Sequence, residues 1–257
     1  MYKEFYLKGY HNGNPKGLMF HSLPGENLSN TLFIGSEIEI EPVNGCSITE
    51  EQKDKLLHLL HRIGDYNWMH CEEDKSLING IEIITQPMSL KFINLYGYNF
   101  IKKIYKCISK YNYSGNNVRC GLHFHVSRTN FRSRTENILW NIFYKFSDEF
   151  IRLSGRNNIE SINRYCKFPT SEDHWDQKDR YSALNLFPLD TIEYRFPSGL
   201  NRVWEWKAWV EFFIGLTRYA IKTNGVKNIK RIKNFRELIS SIPECKSMYV
   251  KRLLRRL

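Results

Sequence analysis

The chain has 257 residues, a formal net charge of +11, 42% hydrophobic and 25% charged residues. That is enough apolar material for a substantial core, and we expect one domain rather than two small ones. No run approaches the roughly 18 apolar residues of a membrane helix, and the opening MYKEFYLKGYHNGNPKG lacks the apolar centre of a secretory leader. A soluble, cytoplasmic protein with no membrane partner is expected.

The cysteines at 46, 71, 107, 120, 166 and 245 form no CxxC pair, so they read as free and mostly buried thiols. The positive charge would attract a polyanion, a nucleotide or an acidic surface. Much of it lies in KNIKRIKNFRELISS and KRLLRRL near the C-terminus, where a solvated basic helix face is the plainer account.

Residues 1–30, rich in Gly, Asn, Pro and Ser from His11 onward, read as an N-terminal arm or long loop. LFIGSEIEIEP (32–42) alternates, with Glu37, Glu39 and Glu41 on one face and Ile34, Ser36, Ile38 and Ile40 on the other: a strand with one acidic face. Ser47 to Glu50 has the S-x-x-E form of a capping box, and KLLHLLHRI continues at helical spacing to a stop at Gly64. YNWMHC (66–71), the polar turn EEDKS and GIEIITQP then predict a hairpin, with Glu82 and Ile84 facing opposite to Ile81 and Ile83.

A helix is expected over about 88–112, broken by GNN at 115–117. RCGLHFHVS again alternates, setting His123 and His125 against Leu122, Phe124 and Val126. Helix is predicted over roughly 133–154 and briefly around 159–166. A second hairpin follows, RYSALNLFP (180–188) and TIEYRFP (191–197), in which Glu193 and Arg195 share a face opposite Ile192, Tyr194 and Phe196. The chain is helical from about Val203. Strands with one apolar and one polar face suit an antiparallel sheet covered by helices on one side and wet on the other, so the predicted class is α+β with a polar, metal-binding sheet face. The expected organisation is a catalytic domain over 31–225 with basic helices, 226–257, packed upon it.

Residues i and i+2 of a strand lie on one face roughly 6.5–7 Å apart. Glu37 with Glu39, His123 with His125, and Glu193 with Arg195 are therefore three pairs, each aimed at a common surface. A lone E-x-E is the ordinary recipe for a half-exposed strand, whereas two imidazoles flanked by apolar residues are unusual away from metals. Converging carboxylates repel one another unless cations neutralise them, and an acidic majority favours Mg²⁺ or Mn²⁺ over zinc. Arg195 suits bidentate contact with a phosphate or carboxylate; its plainer account is an ion pair with a neighbouring Glu. GxSxG, HExxH, P-loop and GxGxxG motifs are absent.

The succession GSEIEIE, EEDKSLINGIEIITQPM, CGLHFHVS and LNLFPLDTIEYRFP resembles the amidoligases, COOH–NH2 ligases of phages and bacteria related to glutamine synthetase and glutamate-cysteine ligase. The likeness runs from about Tyr10 to Leu200; GYHNGNPKGLMF resembles the segment before the E-x-E strand, and SGRNNIESINRYC the family's arginine segment. The resemblance implies a glutamine synthetase-like catalytic domain, cytoplasmic in a phage-infected or bacterial cell. It would activate a carboxylate with ATP as an acyl phosphate, which an amine then attacks. Glu37, His123 and Glu193 would hold one Mg²⁺ or Mn²⁺, and Glu39, Asp74 and Glu82 another, with Glu72 and Glu73 as alternatives to Asp74. Arg195, Arg156 and Arg164 would neutralise phosphate charge, Asn185 would join Arg195 and Arg164 at the nucleotide, and His125 would orient a substrate or contact a phosphate, its plainer account being support of His123. Carboxylate donor and amine acceptor could be a free amino acid, a peptide or a protein side chain. The competing readings are a two-metal nuclease or phosphodiesterase and a non-catalytic nucleic-acid-binding protein using the basic C-terminus and Trp204, Trp206 and Trp209, which sit on a helix pattern that more often marks core.

Overall fold

The computed structural model describes residues 7–8, 16–44, 46–156, 158–172, 179–200 and 202–257. Most of the expected N-terminal arm before residue 16, including the lead-in motif up to that point, and Asn157 of the arginine segment lie outside them. The chain divides into two compact units: Met1–Glu26, Gly35–Leu122 and Ser198–Val203 form the first, and Asn27–Ile34, His123–Pro197 and Trp204–Leu257 the second. Each is assembled from three separated stretches, a division that no linear partition of the sequence suggests. The class is α+β and mainly antiparallel, as the alternating strands required.

In the first unit β1 (Leu7–Lys8), β2 (Phe33–Pro42, whose first two residues are counted with the second unit) and α1 (Glu50–Gly64) precede the hairpin of β3 (Met69–Glu72) and β4 (Ile81–Thr85). β5 (Met88–Ser89) leads into α2 (Leu90–Phe92), a π turn (Ile93–Gly97), α3 (Tyr98–Lys110) and β6 (Tyr113–Ser114). β4 lies between β3 and β2 with both neighbours antiparallel, β1 adds a parallel edge to β3, and β6 pairs with the end of β2. Ile38, Ile40, Ile81 and Ile83 are buried with Leu56, Leu57 and Leu60 of α1 and Ile101, Ile104 and Ile108 of α3, so the predicted apolar faces do form the core.

Two local expectations are corrected here. The capping box is Thr49 with Gln52, not Ser47 with Glu50: the Gln52 N–H donates to Thr49 Oγ1 at 3.2 Å and the Thr49 N–H to Gln52 Oε1 at 2.9 Å. Helical geometry begins at Glu50, so Ser47 is too far back to reach the orphan N–H groups of the first turn. The helix expected from 88 starts only at Leu90, because Met88 and Ser89 are extended and the Ser89 hydroxyl accepts the Phe92 N–H as a cap.

In the second unit the strands are β7 (Leu122–Ser127, whose first residue is counted with the first unit), β8 (Leu184–Asn185) and β9 (Thr191–Tyr194), with β9 antiparallel to both others. The helix predicted over 133–154 is two, α4 (Thr135–Lys145) and α5 (Ser147–Ser154), parted at Phe146, whose φ of −117° and ψ of 28° are not helical. α6 (Ile159–Tyr165), α7 (Val203–Lys222), α8 (Val226–Arg231), α9 (Phe235–Ser240) and α10 (Met248–Leu253) complete it. Tyr194 stacks on Phe213 of α7 at 4.2 Å, Phe196 meets Trp209 edge-on at 5.2 Å, and Trp206 and Trp209 are buried. Trp206 and Trp209 are thus core, while Arg252 lies over the Trp204 ring at 4.2 Å. Cys46 is exposed and the other five thiols are buried. Among the described residues no helix is long and apolar enough to cross a membrane.

Candidate metal centre

The sheet faces carrying the acidic and imidazole groups are not wet, as the sequence pattern suggested, but largely buried: Glu39 is 6% exposed, Glu82 7%, Glu72 2%, His123 3% and Glu193 3%. Ionised carboxylates stay in such surroundings only with partners, so each must be accounted for.

In the first unit the strand register sets Glu39 of β2 opposite Glu82 of β4, and Glu82 opposite Glu72 of β3. Asp74, from the turn after β3, joins this row: one ligand atom each from Glu39, Asp74 and Glu82 lie within 4.8 Å of one another. Burial, and then the charges of Glu37, Glu39, Asp74 and Glu72, push the Glu82 carboxyl up to about 10. Without a counter-charge, Glu82 therefore keeps its proton at neutral pH. Glu37 sits two residues before Glu39, opposite Ile84.

The neighbours of the trio are otherwise engaged. His70 Nε2 lies 2.9 Å from Glu72 Oε1, tying Glu72 to a buried imidazole, while Glu73 is exposed. The Gly121 N–H donates to Glu39 Oε2, and Asp74 Oδ1 accepts the Ser76 N–H at 2.5 Å, which shapes its turn. The His70 and Glu72 pair was missed by sequence reasoning, although the alternation in MHCE sets both on one face.

In the second unit Glu193 of β9 faces His125 on one neighbouring strand and Asn185 on the other. Its Oε2 accepts Asn185 Nδ2 at 2.6 Å, and its Oε1 pairs with Arg195 Nη1 and lies 3.7 Å from His123 Nδ1 and 3.9 Å from His125 Nε2. His125 Nδ1 lies 3.4 Å from Thr191 Oγ1. Asn185 Oδ1 accepts the Phe187 N–H at 2.9 Å, so both ends of this amide are used within the protein. Of the predicted residues, Glu193, Arg195, His123, His125 and Asn185 are brought together within the second unit, and Glu39, Asp74 and Glu82 within the first.

Arg156 follows α5, and Arg164 lies on α6. Arg156 donates to Ser161 Oγ at 3.1 Å and to the carbonyls of Phe196 and Pro197 at 3.2 Å each, which makes it a strut for the chain leaving β9. Arg164 is exposed, its guanidinium 5.2 Å from the Tyr165 ring. Sequence reasoning also missed Arg128, which donates to the carbonyls of Leu186, Pro188 and Thr191 at 2.8, 3.1 and 2.9 Å and pairs with Glu136. It fixes the β8–β9 turn and hence the register of Asn185 against Glu193.

The donor set of the first unit suits a hard divalent cation. Three carboxylate oxygens converge, and one carboxyl is held neutral by burial first and by the surrounding carboxylates second, the condition a Mg²⁺ or Mn²⁺ relieves. Such an ion would supply charge neutralisation at phosphate oxygens.

No protein-family model matches the chain, and no curated protein matches it. Among solved structures it is similar to a glutamine synthetase of Plasmodium falciparum, at 13% identity and a TM-score of 0.46 over 76% of this chain and 52% of that one. The chain spans about half the length of that protein.

Proposed function

We propose that this protein is an ATP- and Mg²⁺-dependent carboxylate–amine ligase, joining a carboxylate donor to an amine through an acyl phosphate. The observation that carries the reading is the trio Glu39, Asp74 and Glu82, with Glu39 and Glu82 buried and Asp74 half-buried, whose mutual repulsion a divalent cation would relieve. Phosphoryl transfer is served by positioning and charge neutralisation rather than by a covalent nucleophile, which agrees with the absence of nucleophile motifs. In the second unit Arg195 carries a planar fork suited to phosphate or carboxylate, with Glu193 holding it and His123 and His125 beside it. The order of the four strand motifs supports the same class. Donor and acceptor are an amino acid, a peptide or a protein side chain.

Calorimetric titration with ATP, with and without Mg²⁺, tests this. Saturable binding that needs Mg²⁺ and is lost in Glu82→Gln is the expected result. Absence of ATP binding, combined with metal-dependent cleavage of a nucleic-acid oligomer, would replace the ligase with a phosphodiesterase.

A further inference from the structure

The E-x-E-x-E strand carries a third carboxylate, Glu41, that the candidate cation trio does not use. It is the most buried of the three at 1% exposed. Arg119 grips it in a fork, Nε donating to Oε1 at 2.9 Å and Nη2 to Oε2 at 2.8 Å, so Glu41 is neutralised by protein. Its Oε1 also accepts the Ile78 N–H at 2.7 Å.

One partner of Glu41 lies in the turn that carries Asp74, and the other in the loop that hydrogen-bonds Glu39. Ile78 lies in the turn between β3 and β4 that begins with Asp74, a turn further closed by the Leu77 N–H to Asp74 carbonyl bond at 3.2 Å. Arg119 lies two residues before Gly121, whose N–H donates to Glu39 Oε2 and whose carbonyl accepts the Glu39 N–H at 3.2 Å. One ion pair, with its carboxylate buried and its guanidinium half-buried, therefore ties down the turn that presents Asp74 and the loop that orients Glu39. Such supporting groups fix the direction of carboxylates that would otherwise turn away from one another, and their loss weakens metal binding roughly 10- to 100-fold.

We infer that Glu41 and Arg119 are a positioning pair for the cation held by Glu39, Asp74 and Glu82. The inference rests on that cation reading and adds to it a pair that touches neither metal nor substrate. Arg119→Lys keeps the charge but loses the fork, and is the milder variant; Glu41→Gln keeps the shape and loses the charge.

The test is Mn²⁺ binding to the full chain, followed by electron paramagnetic resonance, alongside amide hydrogen exchange at Ile78 and Gly121. The expected result is saturable Mn²⁺ binding by the wild type, its loss in Glu82→Gln, and about tenfold weaker binding in Arg119→Lys. Faster exchange at both amides should accompany the weakening, while the metal-free variant still unfolds cooperatively. A purely structural pair would lower stability and leave the affinity of the folded protein unchanged. Wild-type Mn²⁺ affinity in both Arg119→Lys and Glu41→Gln, with Glu82→Gln still defective, would overturn the positioning role alone. No Mn²⁺ binding by the wild type, or undiminished binding by Glu82→Gln, would overturn the cation reading and the inference with it.

Discussion

Glu82 concentrates the electrostatic problem of the first unit in one side chain. Its carboxyl rises from 4.5 to about 10 through burial first and the surrounding carboxylates second. A carboxyl whose folded value lies above its unfolded value binds more protons in the native state. Its contribution to stability is therefore complete below pH 4.5 and is lost as pH rises towards about 10. Metal-free protein should become progressively easier to unfold across that window. Glu82→Gln, which keeps the shape and cannot ionise, should flatten the slope, as urea unfolding at several pH values in the presence of a chelator would show. Added Mg²⁺ should restore stability to the wild type at alkaline pH and do nothing for Glu82→Gln. Residues of one type have separate fates in this unit: Glu39 and Glu82 face Asp74, Glu72 is tied to His70, and Glu41 to Arg119. The alternation in the sequence marks their common face and leaves the division of labour among them open.

Elements were most legible where a local periodicity and a local breaker agreed. The strands around Glu37, His123 and Glu193 appear where the period of two put them, and α1 ends at Gly64 as expected. Starts and interruptions of helices were less legible, because they depend on which hydroxyl finds an orphan N–H. Ser47 and Thr49 both precede a helix and both have an acid or amide three residues on; only Thr49 makes the reciprocal bonds. Thr49→Ala should therefore cost about 1 kcal/mol of stability and Ser47→Ala close to nothing, read as the shift in denaturation midpoint. Phe146, a helix-compatible residue, breaks the helix between α4 and α5 while its side chain meets Phe235 at 5.5 Å, a tertiary contact that no local pattern announces.

At the scale of the whole molecule, the basic C-terminal segment is bound into the second unit rather than trailing from it. Lys145 donates to the Ile229 and Lys230 carbonyls at 3.2 and 2.9 Å, Arg218 pairs with Glu244 at 2.6 Å, and Arg256 reaches Glu205 at 2.8 Å and the Leu153 carbonyl at 2.9 Å. Ile229, Leu238, Ile242, Val250 and Leu253 are buried. Removing 226–257 should thus expose core surface and leave a chain without cooperative unfolding by circular dichroism. A truncated protein that still melts cooperatively would make the segment an appendage, available for a separate partner. The sequence by itself determined the α+β class, the polar and apolar faces of the strands and the identity of the groups aimed at one surface, because side-chain direction along a strand follows from backbone geometry alone. Only the tertiary structure decided that the polar faces are buried, that Asp74 is the residue of its turn whose oxygen converges with those of Glu39 and Glu82, and that two units are each built from three separated stretches. Those outcomes depend on strand register and on loops meeting across long separations in sequence, which no local periodicity encodes.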